Sequence, residues 1–360
     1  MGNVVYAAAI LAGGAGTRFW PLSRAGRPKP FIDLFGQGPL ISQTTERLFP
    51  LVARDGVFYV VGEALRGLTA GSVPGDLAEQ IVTEPIARNT LGAVLLAMAR
   101  VRAKWGDGVL AILPSDHLIP NVEQFQKHMA LAYELGRGAI VTLGITPTYP
   151  ETGFGYIEAA ERRSGTGPGA LKVKRFAEKP DRETAAAFVA SGDFYWNAGI
   201  FVFGVEFLRS HLRSLQPEYA TAVDALTVEM GKEAVDAAAV RAILEPLPGI
   251  NIDRAVMERS SEHLLVVPYD YGWSDVGSWD ALFDRVPEGV SFVSGDVLEE
   301  GSSGNVAVAA SDGPQLTLVD VSDLVVVSTR DAVLVTKRGS GQLVGKVVSR
   351  LRESGRDELL

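Results

Sequence analysis

The feature that most limits what this chain can fold into is a series of nearly unbroken apolar runs set between helix-period segments. Val5–Leu11, Val57–Val61, Gln80–Val82, Val109–Leu113 and Ile140–Gly144 are of this kind. A strand with one wet face alternates apolar and polar side chains, so such runs belong to strands covered on both faces by helices. The intervening segments supply those helices. Leu91–Lys104 opens on the capping pair Asn89-Thr90 and closes near Gly106, and Glu123–Leu135 is stopped by Gly136. Strand and helix in alternation predict an α/β fold with a doubly wound, mostly parallel sheet.

After Leu171 the pattern becomes mixed. Strand-like Leu171–Phe176 and Gly199–Phe203 surround a helix near Thr184–Ala190, and more helices follow between Glu206 and Ser260. A strand at Leu264–Tyr269 leads into Gly272-Trp273-Ser274-Asp275. Beyond about Arg285 the composition shifts to Val, Gly, Ser and Asp. Short β-runs stand at Leu316–Asp320, Leu324–Val327 and Ala332–Thr336, with a polar tail after Val348. A chain of 360 residues exceeds one ordinary domain. The expected division is a large domain over 1–285 and a small β-rich domain over 286–360, with no visible repeat.

Composition excludes several classes. A net charge of −9 does not suit a protein that coats phosphate backbones, so no nucleic-acid partner is expected. A few clustered cations would still serve a small phosphorylated ligand. With no cysteine, disulfides, thiolate zinc sites and a cysteine nucleophile are impossible. His117, His128, His211 and His263 lack metal-ligand spacing. No apolar stretch reaches the roughly 20 residues needed to span a bilayer. Val4–Leu11 lacks a basic flank and reads as a buried strand, so a soluble cytoplasmic protein without a membrane partner is expected.

Leu11-Ala-Gly-Gly-Ala-Gly-Thr-Arg18 follows the first strand directly. Glycines at a strand-to-helix turn let backbone N–H groups approach a phosphate, and Arg18 adds a charged fork suited to its oxygens. Taken alone, the loop is equally a plain tight turn. Phe19 stands where a dinucleotide fingerprint needs a small residue, and the Gly-Lys-Ser/Thr of a Walker loop is absent. Further on, Lys29 lies between Pro28 and Pro30, whose fixed backbone angles would hold a cation in place. Asp116 ends the Val109–Leu113 run, where open α/β sheets gather ligands. Asp275 lies in Gly272-Trp273-Ser274-Asp275-Val276-Gly277. Two carboxylates from distant strands would meet the needs of Mg²⁺, which completes its shell with water and phosphate oxygens. Singly, each reads better as a capping or turn residue.

Together these segments resemble the mannose-1-phosphate guanylyltransferases, within the sugar-phosphate nucleotidyltransferase superfamily. The resemblance runs through Leu11–Ser23, Glu84-Pro-Ile-Ala-Arg-Asn-Thr90, Pro114-Ser-Asp-His117 and Glu151-Thr-Gly-Phe-Gly-Tyr-Ile157. It continues through Phe176-Ala-Glu-Lys-Pro180, Trp196-Asn-Ala-Gly-Ile-Phe201 and Trp273-Ser-Asp-Val-Gly-Ser-Trp279, in the family's order. Asp323–Val335 looks like the family's β-rich tail. The resemblance implies a Rossmann-like nucleotidyltransferase topology, GTP and mannose 1-phosphate as substrates, Mg²⁺ as cofactor, and a homodimer.

It also implies roles. Arg18 and Lys29 would hold the triphosphate and neutralise departing pyrophosphate, while Asp116 and Asp275 carry Mg²⁺. Leu11, Ala12, Gly13, Gly14, Gly16, Thr17, Glu84, Arg88 and Asn89 would complete the nucleotide site, with Glu84 as an acceptor for the guanine donors. Gly155, Glu178 and Asn197 would contact the sugar, and Lys179 its phosphate. The phosphate oxygen of the sugar 1-phosphate is already largely ionised at neutral pH, so its attack on the α-phosphorus needs no general base. The alternatives are the same chemistry with glucose 1-phosphate and UTP or dTTP, or a non-catalytic sugar-nucleotide sensor. A cupin-type isomerase activity, carried by some family members, is not expected from so few histidines.

Overall fold

The computed structural model describes residues 4–14, 16–160 and 169–360. Alanine fills the centre of the first strand, β1 (Tyr6–Ala12), where Ala7, Ala8 and Ala9 are wholly buried. Its neighbours β2 (Val57–Gly62) and β4 (Val109–Pro114) run parallel to it, and β3 (Ile81–Glu84) lies parallel outside β2. The sheet continues with β5 (Ile140–Ile145), β6 (Gly155–Ala159), β7 (Leu171–Glu178), β8 (Phe194–Gly204) and β9 (Leu264–Pro268). Its nine strands stand in the order β3-β2-β1-β4-β8-β5-β9-β7-β6. Only β7 and β8 point against the rest, so the sheet is mostly parallel as expected.

The chain moves outward from β1 through β2 to β3, then returns to place β4 on the other side of β1. The carboxyl ends of β1 and β4 therefore diverge into separate loops at a topological switch point, where such sheets gather ligands. The helix Asn89–Trp105 is buried at every residue from Leu91 to Ala99, as a helix apolar on all sides must be. It ends at Gly106, which takes φ 79° and donates its N–H to Arg102 O, matching the glycine stop read from the sequence.

Packing separates the chain into two compact units, and neither is a consecutive stretch. The larger holds the chain up to Ala12, Thr45–Pro114 and Ile119–Trp273, and contains the nine-stranded sheet. The smaller gathers Gly13–Thr44, Ser115–Leu118 and Ser274–Leu360. In it, β10 (Phe292–Ser294), β12 (Val306–Ala309) and β14 (Leu324–Ser328) pair in parallel, β15 (Val333–Lys337) runs antiparallel to β14, and β11 (Val297–Glu300) pairs in parallel with β13 (Leu316–Val319). These rungs form a coiled repeat that the sequence does not display, because each strand is only three to five residues long. The polar tail expected after Val348 is instead part of a helix, Val344–Glu353, whose Val344 and Val348 are buried. They share a core with Phe19, Trp20, Trp279, Val306 and Val325.

Candidate active site

The charged candidates divide between the two units. Four of them meet inside the smaller one, brought there by three separate stretches of chain. Leu118 and Ser274 exchange backbone hydrogen bonds, Leu118 N to Ser274 O at 2.9 Å and Ser274 N to Leu118 O at 3.0 Å. This isolated bridge ties the loop after β4 to the loop after β9, each two residues or fewer from its aspartate. Lys29 closes the cluster. Its Nζ lies 2.9 Å from Asp116 Oδ2 and donates to the backbone carbonyl of Asp275. Arg18 Nη1 donates to Gly277 O at 3.4 Å, adding a second cation to the same segment.

Local sequence explains the geometry. Lys29 begins a short turn between Pro28, which caps it, and Pro30 in its second position, and its side chain is 8% exposed against 29% for Asp116. Burial alone would raise the Asp116 carboxyl, but the charge of Lys29, with His117, holds it below the usual aspartate range. Asp116 is therefore a carboxylate. Gly16 takes φ 57°, and a Cβ there would stand 2.4 Å from Lys29 Cβ. A Cβ at Gly277 would stand 2.9 Å from Asp275 Oδ2. Val276, between that glycine and Asp275, has φ 45°, an unfavourable value for a β-branched residue, and its N–H donates to Ser274 Oγ at 3.0 Å. Gly13 and Gly14 are exposed, with nothing within 4 Å of an added Cβ. Ala15 lies outside the described residues, and Thr17 begins the turn that ends in buried Phe19. Leu11 and Ala12 end β1 in the larger unit.

A pair of carboxylates with a lysine and an arginine suits a polyphosphate and one hard divalent cation. The described residues contain no group of three or more His, Cys, Asp or Glu able to hold a metal by themselves. Two carboxylates are the number Mg²⁺ commonly takes from a protein, and Asp116 and Asp275 are the candidates for that pair.

The remaining candidates lie in the larger unit. Sheet register brings the hexose set together: Gly155 pairs with Glu178 across β6 and β7, and Tyr156 pairs with Trp196, which puts Asn197 beside them. A Cβ on Gly155 would lie 2.9 Å from Glu178 Oε2 and 3.3 Å from Asn197 Cβ, so any side chain there would displace the Glu178 carboxylate. Lys179 takes φ 51° and holds its Nζ 3.1 Å from Glu178 Oε1. Opposite Asn197, β5 shifts register between Thr142 and Gly144, a bulge of the kind that re-aims a side chain beside a site.

Sequence reading missed two members of this cluster. Asn251 Nδ2 donates to Glu178 Oε1 at 3.2 Å, and Asn197 Nδ2 donates to Asp253 Oδ1 at 2.9 Å. Their signal was hidden because Asn251 also caps the helix Ile252–Ala255, accepting from Arg254 N, and so reads as an ordinary cap. The same segment reaches the Glu84–Thr90 motif: Leu91 N donates to Ile250 O at 3.2 Å, and Ile252 N to Thr90 Oγ1 at 3.0 Å. Within that motif Glu84 Oε1 accepts from Arg88 N at 3.2 Å. Arg88 gives its guanidinium to the carbonyls of Leu244 and Glu245, and Asn89, exposed at φ 59°, accepts from Thr90 N.

The fold and this pair of clusters define a nucleotidyl transferase, and the Nucleotidyl transferase family model matches residues 7–288. A second model, MannoseP isomerase/GMP-like beta-helix domain, matches residues 302–351, over the coil of short rungs. Within the nucleotidyl transferases, the chain belongs to the mannose-1-phosphate guanylyltransferase family. It is 39% identical over 355 residues to the xanthan biosynthesis protein XanB of Xanthomonas campestris pv. campestris, covering 97% of this chain and 74% of that protein. It is 36% identical over 360 residues to a mannose-1-phosphate guanylyltransferase of Klebsiella pneumoniae, with the same 97% and 74% coverage. A solved structure from Thermus thermophilus, described as a mannose-1-phosphate geranyltransferase, superposes with a TM-score of 0.83 at 33% identity, over 96% of this chain and 99% of that one. No helix among the described residues is long and apolar enough to cross a membrane.

Proposed function

We propose that the protein transfers GMP from GTP to α-D-mannose 1-phosphate, forming GDP-mannose and releasing pyrophosphate. The observation that carries this reading is that Lys29 holds the Asp116 carboxylate and the backbone carbonyl of Asp275 on one ammonium, with Arg18 on the same segment. Asp116 and Asp275 would hold Mg²⁺, which when bound neutralises and orients triphosphate oxygens. Arg18 and Lys29 would bind the same oxygens and offset the charge that builds on the departing pyrophosphate. Backbone N–H groups at Gly13 and Gly14, free of Cβ atoms, would lie against phosphate.

In the larger unit, Glu178 and Asn197 would orient the hexose and Lys179 its phosphate. With the attacking oxygen already ionised, the side chains need only position it in line with the α-phosphorus. No general base and no covalent intermediate is required.

The test is pyrophosphate release across a matrix of nucleoside triphosphates and hexose 1-phosphates, with and without Mg²⁺. GTP with mannose 1-phosphate should give the largest kcat/KM. A larger value for UTP or dTTP with glucose 1-phosphate would replace this assignment. Asp116→Asn and Asp275→Asn should each lower kcat by roughly 100-fold or more while the folded content holds; near-normal turnover at either position would remove it from the metal role. A cytoplasmic homodimer is the accompanying expectation, which a monomeric mass in sedimentation at micromolar concentration would remove.

A further inference from the structure

Asp253 has no part in the function assigned so far, yet its place in the larger unit is unusually specific. It lies in the first turn of the helix Ile252–Ala255 and accepts from Asn197 Nδ2 at 2.9 Å. On the other side of that amide, Asn197 Oδ1 accepts from Thr142 Oγ1 at 3.1 Å and from Gly199 N at 3.1 Å. A side-chain amide has two acceptor positions and two N–H donors. Gly199 N can only donate, so Oδ1 must face it, and Nδ2 is therefore the atom that faces Asp253. The amide cannot be flipped. Both acceptor positions and one donor are taken, which leaves a single N–H for a ligand.

We propose that Asp253 is the positioning residue of the hexose pocket: by taking one N–H of Asn197, it fixes the other as a donor to a sugar hydroxyl. The proposal rests on reading Gly155, Glu178 and Asn197 as the hexose contacts. It predicts that Asp253 governs use of the sugar phosphate and leaves the nucleotide untouched.

Charge adds a second consequence. Burial, and then the nearby Glu178 carboxylate, push the Asp253 carboxyl up to about 7. The charged groups bearing on it are Glu178 and Lys179. The other facing elements present Asn197 from β8 and Thr90 from the helix Asn89–Trp105, which do not titrate. Above that pH a second negative charge joins Glu178 and draws the Lys179 ammonium, already 3.1 Å from Glu178 Oε1, away from a substrate phosphate. The sugar phosphate has its second pKa at about 6, so its own charge changes little over this range.

The experiment is initial-rate kinetics on the full chain with GTP, Mg²⁺ and the hexose 1-phosphate that the wild type turns over best. Wild type, Asp253→Ala and Asp253→Asn are compared at several values from about pH 7 to about pH 8.5. Asp253→Ala should raise KM for the sugar phosphate about tenfold or more, with KM for GTP within about twofold. Asp253→Asn still offers an oxygen to Asn197, so it should return KM to within about threefold of wild type at pH 7. It should also abolish the rise of sugar-phosphate KM with pH that the wild type shows. An unchanged sugar-phosphate KM in Asp253→Ala, or an Asp253→Asn variant that keeps the pH-dependent rise, overturns the proposal. If Asp253→Ala does not fold, the pH profile of Asp253→Asn decides alone. A wild type that turns over some other hexose 1-phosphate and not mannose 1-phosphate counts against the proposed function, and the Asp253 comparison still reads on the substrate it does use.

Discussion

A methyl group at Gly16 would press into Lys29 at 2.4 Å while the backbone there holds φ 57°. Gly16→Ala should therefore move the lysine as well as strain the turn, at about 1–3 kcal/mol of stability, measured by chemical unfolding. Turnover should fall more steeply than stability. The sequence reads this glycine as a phosphate contact; its packing against a side chain 13 positions later is visible only in the fold. Asp116 makes a prediction of a different kind. Its carboxyl sits below the usual aspartate value, so its pairing with Lys29 stabilises the fold above that value and is lost as pH falls through the depressed one. The stability difference between wild type and Asp116→Asn should be level from about pH 5 to 7 and change only below about pH 4. At Glu84, whose Oε1 already closes a turn onto Arg88 N, charge and turn can be separated. Glu84→Gln keeps an acceptor for Arg88 but removes the carboxylate offered to guanine. Preference for GTP over UTP should drop about fivefold or more, and an unchanged ratio would remove Glu84 from base reading. Arg18, Lys29, Asp116 and Asp275 were singled out by motifs standing in one order, since an acid at a strand end or a lysine between prolines is by itself an ordinary cap or loop residue. Asn251 and Asp253 were not, because at a helix start the same letters serve as caps.

Between residues and the whole, the decisive element is small: the single bridge between Leu118 and Ser274. Neither residue carries chemistry, yet their paired backbone bonds tie Asp116 to Asp275 across more than 150 positions of chain. Ser274→Pro removes the N–H that Leu118 O accepts. The Mg²⁺ concentration for half-maximal rate should rise about tenfold, while the nine-stranded sheet, followed by its far-ultraviolet signal, stays intact. A bridge of one residue pair leaves no periodicity, so no sequence pattern could announce it. The same limit explains the cluster of Gly155, Glu178 and Asn197. The buried strands β1, β2, β4 and β5 stood out as apolar runs, but register did not, and it is register that sets Gly155 against Glu178. β6 escaped the sequence reading altogether, having Gly155 and Glu158 within five residues.

Across the molecule, the chain order and the packing order differ. The smaller unit draws its core from both ends of the sequence: Phe19 stacks at a tilt 5.0 Å from Trp279, and Trp279 Nε1 donates to Trp20 O at 3.1 Å. Trp279 is wholly buried, and Trp279→Ala should cost about 3–5 kcal/mol. Hydrogen exchange should then show protection lost in Gly13–Thr44 and the C-terminal coil together, while β1 to β9 keep theirs; equal loss in both units would mean they unfold as one. The sequence suggested a β-rich end but not its partnership with the glycine loop, since contacts between distant stretches carry no local signature. Trp20 Nε1 and Arg24 Nη1 both donate to the carbonyl of Leu359, and Val344 and Val348 complete the core around Phe19. This arrangement has a consequence for the order of events during synthesis. The glycine loop is made long before Leu359, which lies 339 positions after the Trp20 it braces. A nascent chain that has already assembled its large sheet would still lack the finished surroundings of that loop, and activity should begin only after translation has passed Leu359.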